Sequence, residues 1–113
     1  MEKIVEQGLL YDFYGELLTE HQKKIYEDVV YHDFSLTEIA AENGISRQGV
    51  HDMIRRCNRI LQEYEDKLHL VERFMRIREN VLKLQELTQQ PGLTREEMTK
   101  KVSALSSRIL EEL

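Results

Sequence analysis

The 113-residue chain is predicted to be all-α, a helix-turn-helix bundle followed by a long C-terminal helical extension. Three observations predict this. Helix formers dominate, Pro91 is the single proline, and no stretch shows sustained strand-like alternation. Apolar residues recur at helical spacing along most of the chain. The stretch Ser35–Arg59, SLTEIAAENGISRQGVHDMIRRCNR, reads as two helices joined by a tight glycine turn, with basic residues outward on the second.

Residues 2–18 place Ile4, Val5, Leu9, Leu10, Phe13, Tyr14, Leu17 and Leu18 on a wide apolar stripe, interrupted by Gly8 and Gly15. So wide a stripe is expected to pack on the next helix and on something further, a partner chain included. Thr19 with Gln22 makes a capping box, opening a helix to about Tyr31 with Ile25, Val29 and Val30 inward. Residues 31–34 form a short loop, and Phe34 is placed to staple the start of the following helix.

Ser35 is the expected N-cap of that helix, with Glu38 completing a second capping box and Leu36, Ile39 and Ala40 on one face. Ala40 is small where two helices would cross closely. Asn43-Gly44 stops the helix, because glycine tolerates the left-handed conformation of a C-terminal cap. Asn43 stands where an apolar residue is more usual. Ile45 plugs the corner and Ser46 caps the next helix. Val50, Met53 and Ile54 give this second helix its inward face. Arg47, Gln48, His51, Asp52, Arg55, Arg56 and Arg59 point outward. Gly49 reads as a mid-helix glycine, a cost of roughly 0.5–1 kcal/mol relative to alanine. The plainer alternative is a helical hairpin whose charges are simply solvated.

No glycine or proline occurs between Val50 and Gln90. Ile54, Cys57, Leu61, Tyr64, Leu68, Val71 and Met75 recur at spacings of three and four, and Leu70, Phe74, Ile77, Val81 and Leu84 form an overlapping row. This predicts one long helix or two nearly continuous ones, used for association or for an intramolecular hairpin. Gln90-Pro91-Gly92 breaks the chain. Thr94 with Glu97 then caps a final helix with Met98, Val102, Leu105, Ile109 and Leu113 in one stripe, which folds back or crosses to a partner. The expected division is residues 1–59, the helix-turn-helix domain, and 60–113, a packing and dimerisation extension. A homodimer through the long helix or the N-terminal stripe is expected.

The formal net charge of −5 counts against a general nucleic-acid binder. Its distribution matters more. The deficit sits in residues 1–34, whereas between Ser46 and Arg59 only Asp52 opposes four arginines. One cysteine, Cys57, rules out an internal disulfide and fits a reducing cytoplasm. Acidic residues by position six and the lack of a long apolar run argue against a signal peptide, and nothing reaches transmembrane length. His21, His32, His51, His69 and Cys57 match no zinc spacing, and no catalytic constellation can be assembled, so neither metal, cofactor nor enzymatic activity is expected.

The segment LLTEHQKKIYEDVVYHDFSLTEIAAENGISRQGVHDMIRR resembles region 4 of bacterial sigma factors, the module that reads promoter DNA. More closely, Leu10–Leu18, Ser35–Ile54 and Ile60–His69 resemble, in order and spacing, the YlxM-like family of small helix-turn-helix proteins of Gram-positive bacteria. That resemblance implies an all-helical fold and a link, drawn from gene neighbourhood, with the signal recognition particle pathway. If this module reads DNA as the resemblance implies, Gln48, His51, Asp52 and Arg55 are the base-edge readers. Arginine suits the guanine edge and glutamine the adenine edge. Ser46, Arg47, Arg56 and Arg59 would hold phosphates. Structured RNA is the other nucleic-acid partner consistent with four arginines near a helix start. A protein-interaction adaptor that keeps the motif as a scaffold is the alternative.

Overall fold

The computed structural model describes residues 3–113, with side-chain surroundings from Val5 onward, so Ile4 of the expected stripe lies outside them. Every element among the described residues is helical: α1 (Lys3–Tyr14), α2 (Glu20–Val30), α3 (Leu36–Asn43), α4 (Arg47–Leu68), α5 (Leu70–Gln89) and α6 (Arg95–Glu112). The chain divides into two compact units, one ending at His69 and the other running Leu70–Leu113.

In the first unit, Ile25 of α2, Ile39 and Ala40 of α3 and Val50 of α4 form the buried centre. Val29, Leu36, Ile45, Met53 and Ile54 pack around it. The helical spacing of these residues puts one apolar face of each helix toward a common axis, which is the three-helix arrangement a helix-turn-helix requires. α1 closes the other side of α4. Leu10, Tyr14, Leu18, Tyr26, Cys57 and Leu61 are all buried.

Tyrosines fasten α1 there. Tyr11 stacks on Tyr26 at 5.3 Å and donates its hydroxyl to Glu27. Tyr14 stacks on Tyr64 at 6.1 Å and donates to Glu65, while Tyr26 donates to Asn58 Oδ1 at 2.8 Å. Each ring buries a large apolar body while its hydroxyl keeps a hydrogen-bond partner. The α1 stripe is therefore split, with Leu10, Tyr14 and Leu18 inside and Val5, Phe13 and Leu17 exposed. Gly15 marks where α1 tightens into a 3-10 turn, Gly15–Leu17. A Cβ there would sit 2.8 Å from the Tyr11 ring, closer than real contacts allow.

The caps follow the sequence with two reductions. Thr19 and Gln22 form the full reciprocal box. Ser35 and Thr94 accept from the backbone of Glu38 and Glu97, and this half alone is the cap each helix shows. Phe34, expected as a staple, is nearly half exposed and meets the His32 ring edge-on at 5.7 Å.

The expected boundary at 59–60 falls inside α4. The helix continues because Leu61 and Tyr64 pack on the α1 side, and it stops only at His69, whose φ of 56° is left-handed. Histidine reaches that conformation without the glycine that would have announced it. In the second unit, α5 and α6 form a helical hairpin through the turn at Pro91-Gly92, held partly by Arg76 against Glu112 at 2.7 Å. α6 thus folds back on α5.

Candidate nucleic-acid interface

The turn between α3 and α4 is built by local hydrogen bonds. Gly44 takes φ 64° and ψ 31°. Its N–H reaches Ala41 O at 3.4 Å, and the N–H of Ile45 reaches Ala40 O at 3.0 Å, the paired pattern of a Schellman cap. Asn43, unusual at its position, donates from its side chain to Ile39 O at 2.8 Å, adding a second hydrogen bond in the last turn. Ser46 Oγ then accepts from Gly49 N at 2.9 Å and opens α4.

Gly49 is thus in the first turn of α4 rather than mid-helix. A Cβ there would lie 3.3 Å from Ser46 Oγ and 3.5 Å from Ile45 Cβ, so the small residue keeps the cap and the corner plug together.

All eight expected contact residues, Ser46, Arg47, Gln48, His51, Asp52, Arg55, Arg56 and Arg59, are exposed. They do not form one uniform face. Gln48, Asp52, Arg55 and Arg59 follow one another at spacings of three and four along the outermost line of α4. Arg47 and His51 flank it on one side and Arg56 on the other.

Two of the arginines have acidic neighbours. Arg55 lies 3.4 Å from Asp52 and Arg59 lies 4.0 Å from Glu63, while Gln48 also donates to Asp52. These exposed pairs are loose and each is worth at most about 1 kcal/mol, so either arginine can exchange its partner for a phosphate. Among the described residues Arg47 and Arg56 have no ion-pair partner.

The helix dipole adds to the same end. α4 has no acidic residue in its first turn, unlike the other described helices. Its N-terminal partial positive charge is therefore uncompensated next to Arg47. The charge pattern of the neighbouring helix is less favourable. Glu38 and Glu42 are exposed on α3, the element that crosses the backbone in helix-turn-helix complexes. Lys24 of α2 lies 3.1 Å from Glu42 and offsets it. Sequence reading missed Lys24, since nothing local links it to a residue on another helix.

Cys57 is fully buried and burial pushes its thiol up, away from the thiolate a nucleophile needs. Among the described residues no group of His, Cys, Asp or Glu is arranged to hold a metal ion. His32 contacts Asp28 at 2.9 Å in the α2–α3 loop, where it ties the loop to α2. No described helix is long and apolar enough to cross a membrane.

A family described as "Putative helix-turn-helix protein, YlxM / p13 like" (UPF0122) matches residues 1–104. The chain belongs to this family. A UPF0122 protein of Bacillus velezensis is 43% identical over 106 residues, covering 93% of this chain and 94% of its own. One of Bacillus thuringiensis is 40% identical over 105 residues, covering 93% and 96%. One of Clostridium kluyveri is 46% identical over 80 residues, covering 71% and 72%. The two longer alignments span residues of both units.

Proposed function

We propose that this protein is a DNA-binding regulatory module in which the first half of α4 enters the major groove. The observation that carries the reading is the capped turn that presents Arg47, Arg55, Arg56 and Arg59 on an exposed helix start with Asp52 as the one opposing acid between Ser46 and Arg59. Gln48, His51, Asp52 and Arg55 face base edges in this reading. Ser46, Arg47, Arg56 and Arg59 take phosphates. Four arginines set the scale of the salt response: log affinity falls against log salt with a slope of about −3 to −4 on duplex DNA.

The test is fluorescence anisotropy of the full chain against mixed duplex DNA and structured RNA, at low and near-physiological salt. Reversal of Arg55 and Arg56 to glutamate should abolish binding while circular dichroism keeps the helical signal. Retained binding in that variant would refute the proposal. Preference for the RNA probe would transfer the same arginines to an RNA backbone.

A second reading has its own observation. The exposed acids Asp12, Glu16, Glu20, Glu38 and Glu42 surround α1 to α3 and suit a basic protein surface better than a nucleic acid. On that reading the protein is an adaptor of the signal recognition particle pathway, as the family resemblance implies. Binding to a purified particle component at micromolar concentration, with neither nucleic-acid probe bound, would favour it.

A further inference from the structure

The outermost line of α4 holds a hydrogen-bonded trio. Asp52 Oδ1 accepts from Gln48 Nε2 at 3.1 Å and from Arg55 Nη2 at 3.4 Å. Arg56, four residues on, lies within the same helical reach, yet Asp52 turns to Arg55. The Asp52 and Arg55 side chains are 60% and 72% exposed, so the contact adds little to folding. Asp52 also weakens a sequence-independent grip, because a carboxylate repels the phosphates that the arginines attract. A surface that only held a backbone would bind better without it.

Within the major-groove reading of α4, on which this rests, we infer that Asp52 is a positioning residue that presets Gln48 for adenine and Arg55 for guanine. A carboxylate only accepts hydrogen bonds, so Gln48 turns its amide nitrogen, not its oxygen, to Asp52. The second N–H and Oε1 of Gln48 remain, the donor and acceptor that N7 and N6 of adenine require. Arg55 keeps further N–H groups for the O6 and N7 of guanine. Both contacts are loose in water and strengthen where the groove excludes it. Asp52 thus opposes every sequence through its charge and favours one through its neighbours, which is how a difference of affinities is built.

Gln48 and Arg55 stand seven residues apart, about 10 Å along the helix. Base pairs rise about 3.4 Å, so the two side chains meet an adenine and a guanine about two or three steps apart, depending on the tilt of the helix.

Selection from a random duplex library with the full wild-type chain should enrich adenine and guanine at that spacing. Anisotropy on the enriched duplex and a scrambled one then tests Asp52. In Asp52→Ala, affinity for the scrambled duplex should rise while the ratio between the two duplexes falls about tenfold, within the range that one bidentate contact discriminates. Alanine favours helix, so circular dichroism should be unchanged. Asp52→Asn keeps an oxygen for Gln48 but loses the ion pair to Arg55, so the adenine preference should persist and the guanine preference weaken. Equal rises on both duplexes in Asp52→Ala would overturn the inference. So would loss of preference at a third base pair alone, the mark of a base read by Asp52 itself. Wild-type binding to duplexes with no adenine–guanine pattern enriched would overturn it and leave the proposed function standing. No duplex binding even at low salt would overturn both.

Discussion

Raising the pH above that of ordinary tyrosine ionisation should unfold the first unit, because Tyr11, Tyr26 and Tyr31 are held neutral. Tyr26 is fully buried and burial pushes its hydroxyl well above the usual value of 10.0. Burial also raises Tyr11, with the hydrogen bond to Glu27 acting in the same direction, and burial raises the more exposed Tyr31. The unfolded chain releases these protons near pH 10 while the folded one keeps them. Stability from this source is therefore complete below pH 10 and falls as the pH rises beyond it. One fully protected tyrosine contributes a slope approaching 1.4 kcal/mol per pH unit. Tyr26 supplies about that much; Tyr11 and Tyr31 add smaller amounts, because solvent screens them.

Against a typical total of about 5–15 kcal/mol, a rise from pH 9 to pH 11 should lower the urea midpoint visibly. Urea titrations followed by circular dichroism at several pH values, with tyrosinate absorbance recorded in parallel, make the measurement. In Tyr26→Phe the slope should shrink by about one proton, and the neutral-pH midpoint should fall because Asn58 Oδ1 is left without its donor, a loss of about 1–3 kcal/mol. If Tyr11, Tyr26 and Tyr31 titrate near pH 10 with the fold intact, the packing of α1 described above is wrong.

Other predictions concern the turn and the charge. Gly44→Ala should lower stability by about 1–2 kcal/mol through backbone strain alone, since φ is 64° and an added Cβ meets nothing within 4 Å; an unchanged denaturation midpoint would contradict this. Gly15→Ala should destabilise by driving Tyr11 off Tyr26, read as a change in near-ultraviolet circular dichroism. Ser46→Ala removes the α4 cap and should cost about 1 kcal/mol in the same denaturation assay. Asp52→Asn frees Arg55 and removes the one acid between Ser46 and Arg59. Affinity for a non-specific duplex should rise about fivefold at low salt, and a fall would show that Asp52 supports binding.

Much of the helix-turn-helix was legible because its rules are local. Caps lie three residues from the groups they satisfy, and the Ser35, Gly44 and Ser46 signals were each read from neighbours in sequence. The inward row Ile39, Ala40, Val50 and Ile54 followed from helical periodicity. Signals failed where the deciding contact was remote. Gly49 is a defect by helix propensity alone, and its reason lies in the Ser46 cap and Ile45 packed against it. The end of α4 at His69 carried no glycine or proline, so periodicity ran across it unbroken.

The sequence by itself determined the helical class, the turn and which residues of α4 point outward, since each depends on spacing along one helix. Tertiary structure decided what spacing cannot reach: which half of the α1 stripe is buried, how Lys24 comes to offset Glu42, and that α6 folds back on α5. Among the described residues it also left Arg47 and Arg56 without an ion-pair partner while placing Asp52 and Glu63 beside Arg55 and Arg59. The reason is physical. Periodicity names a face, but only the packing of distant helices says what that face meets.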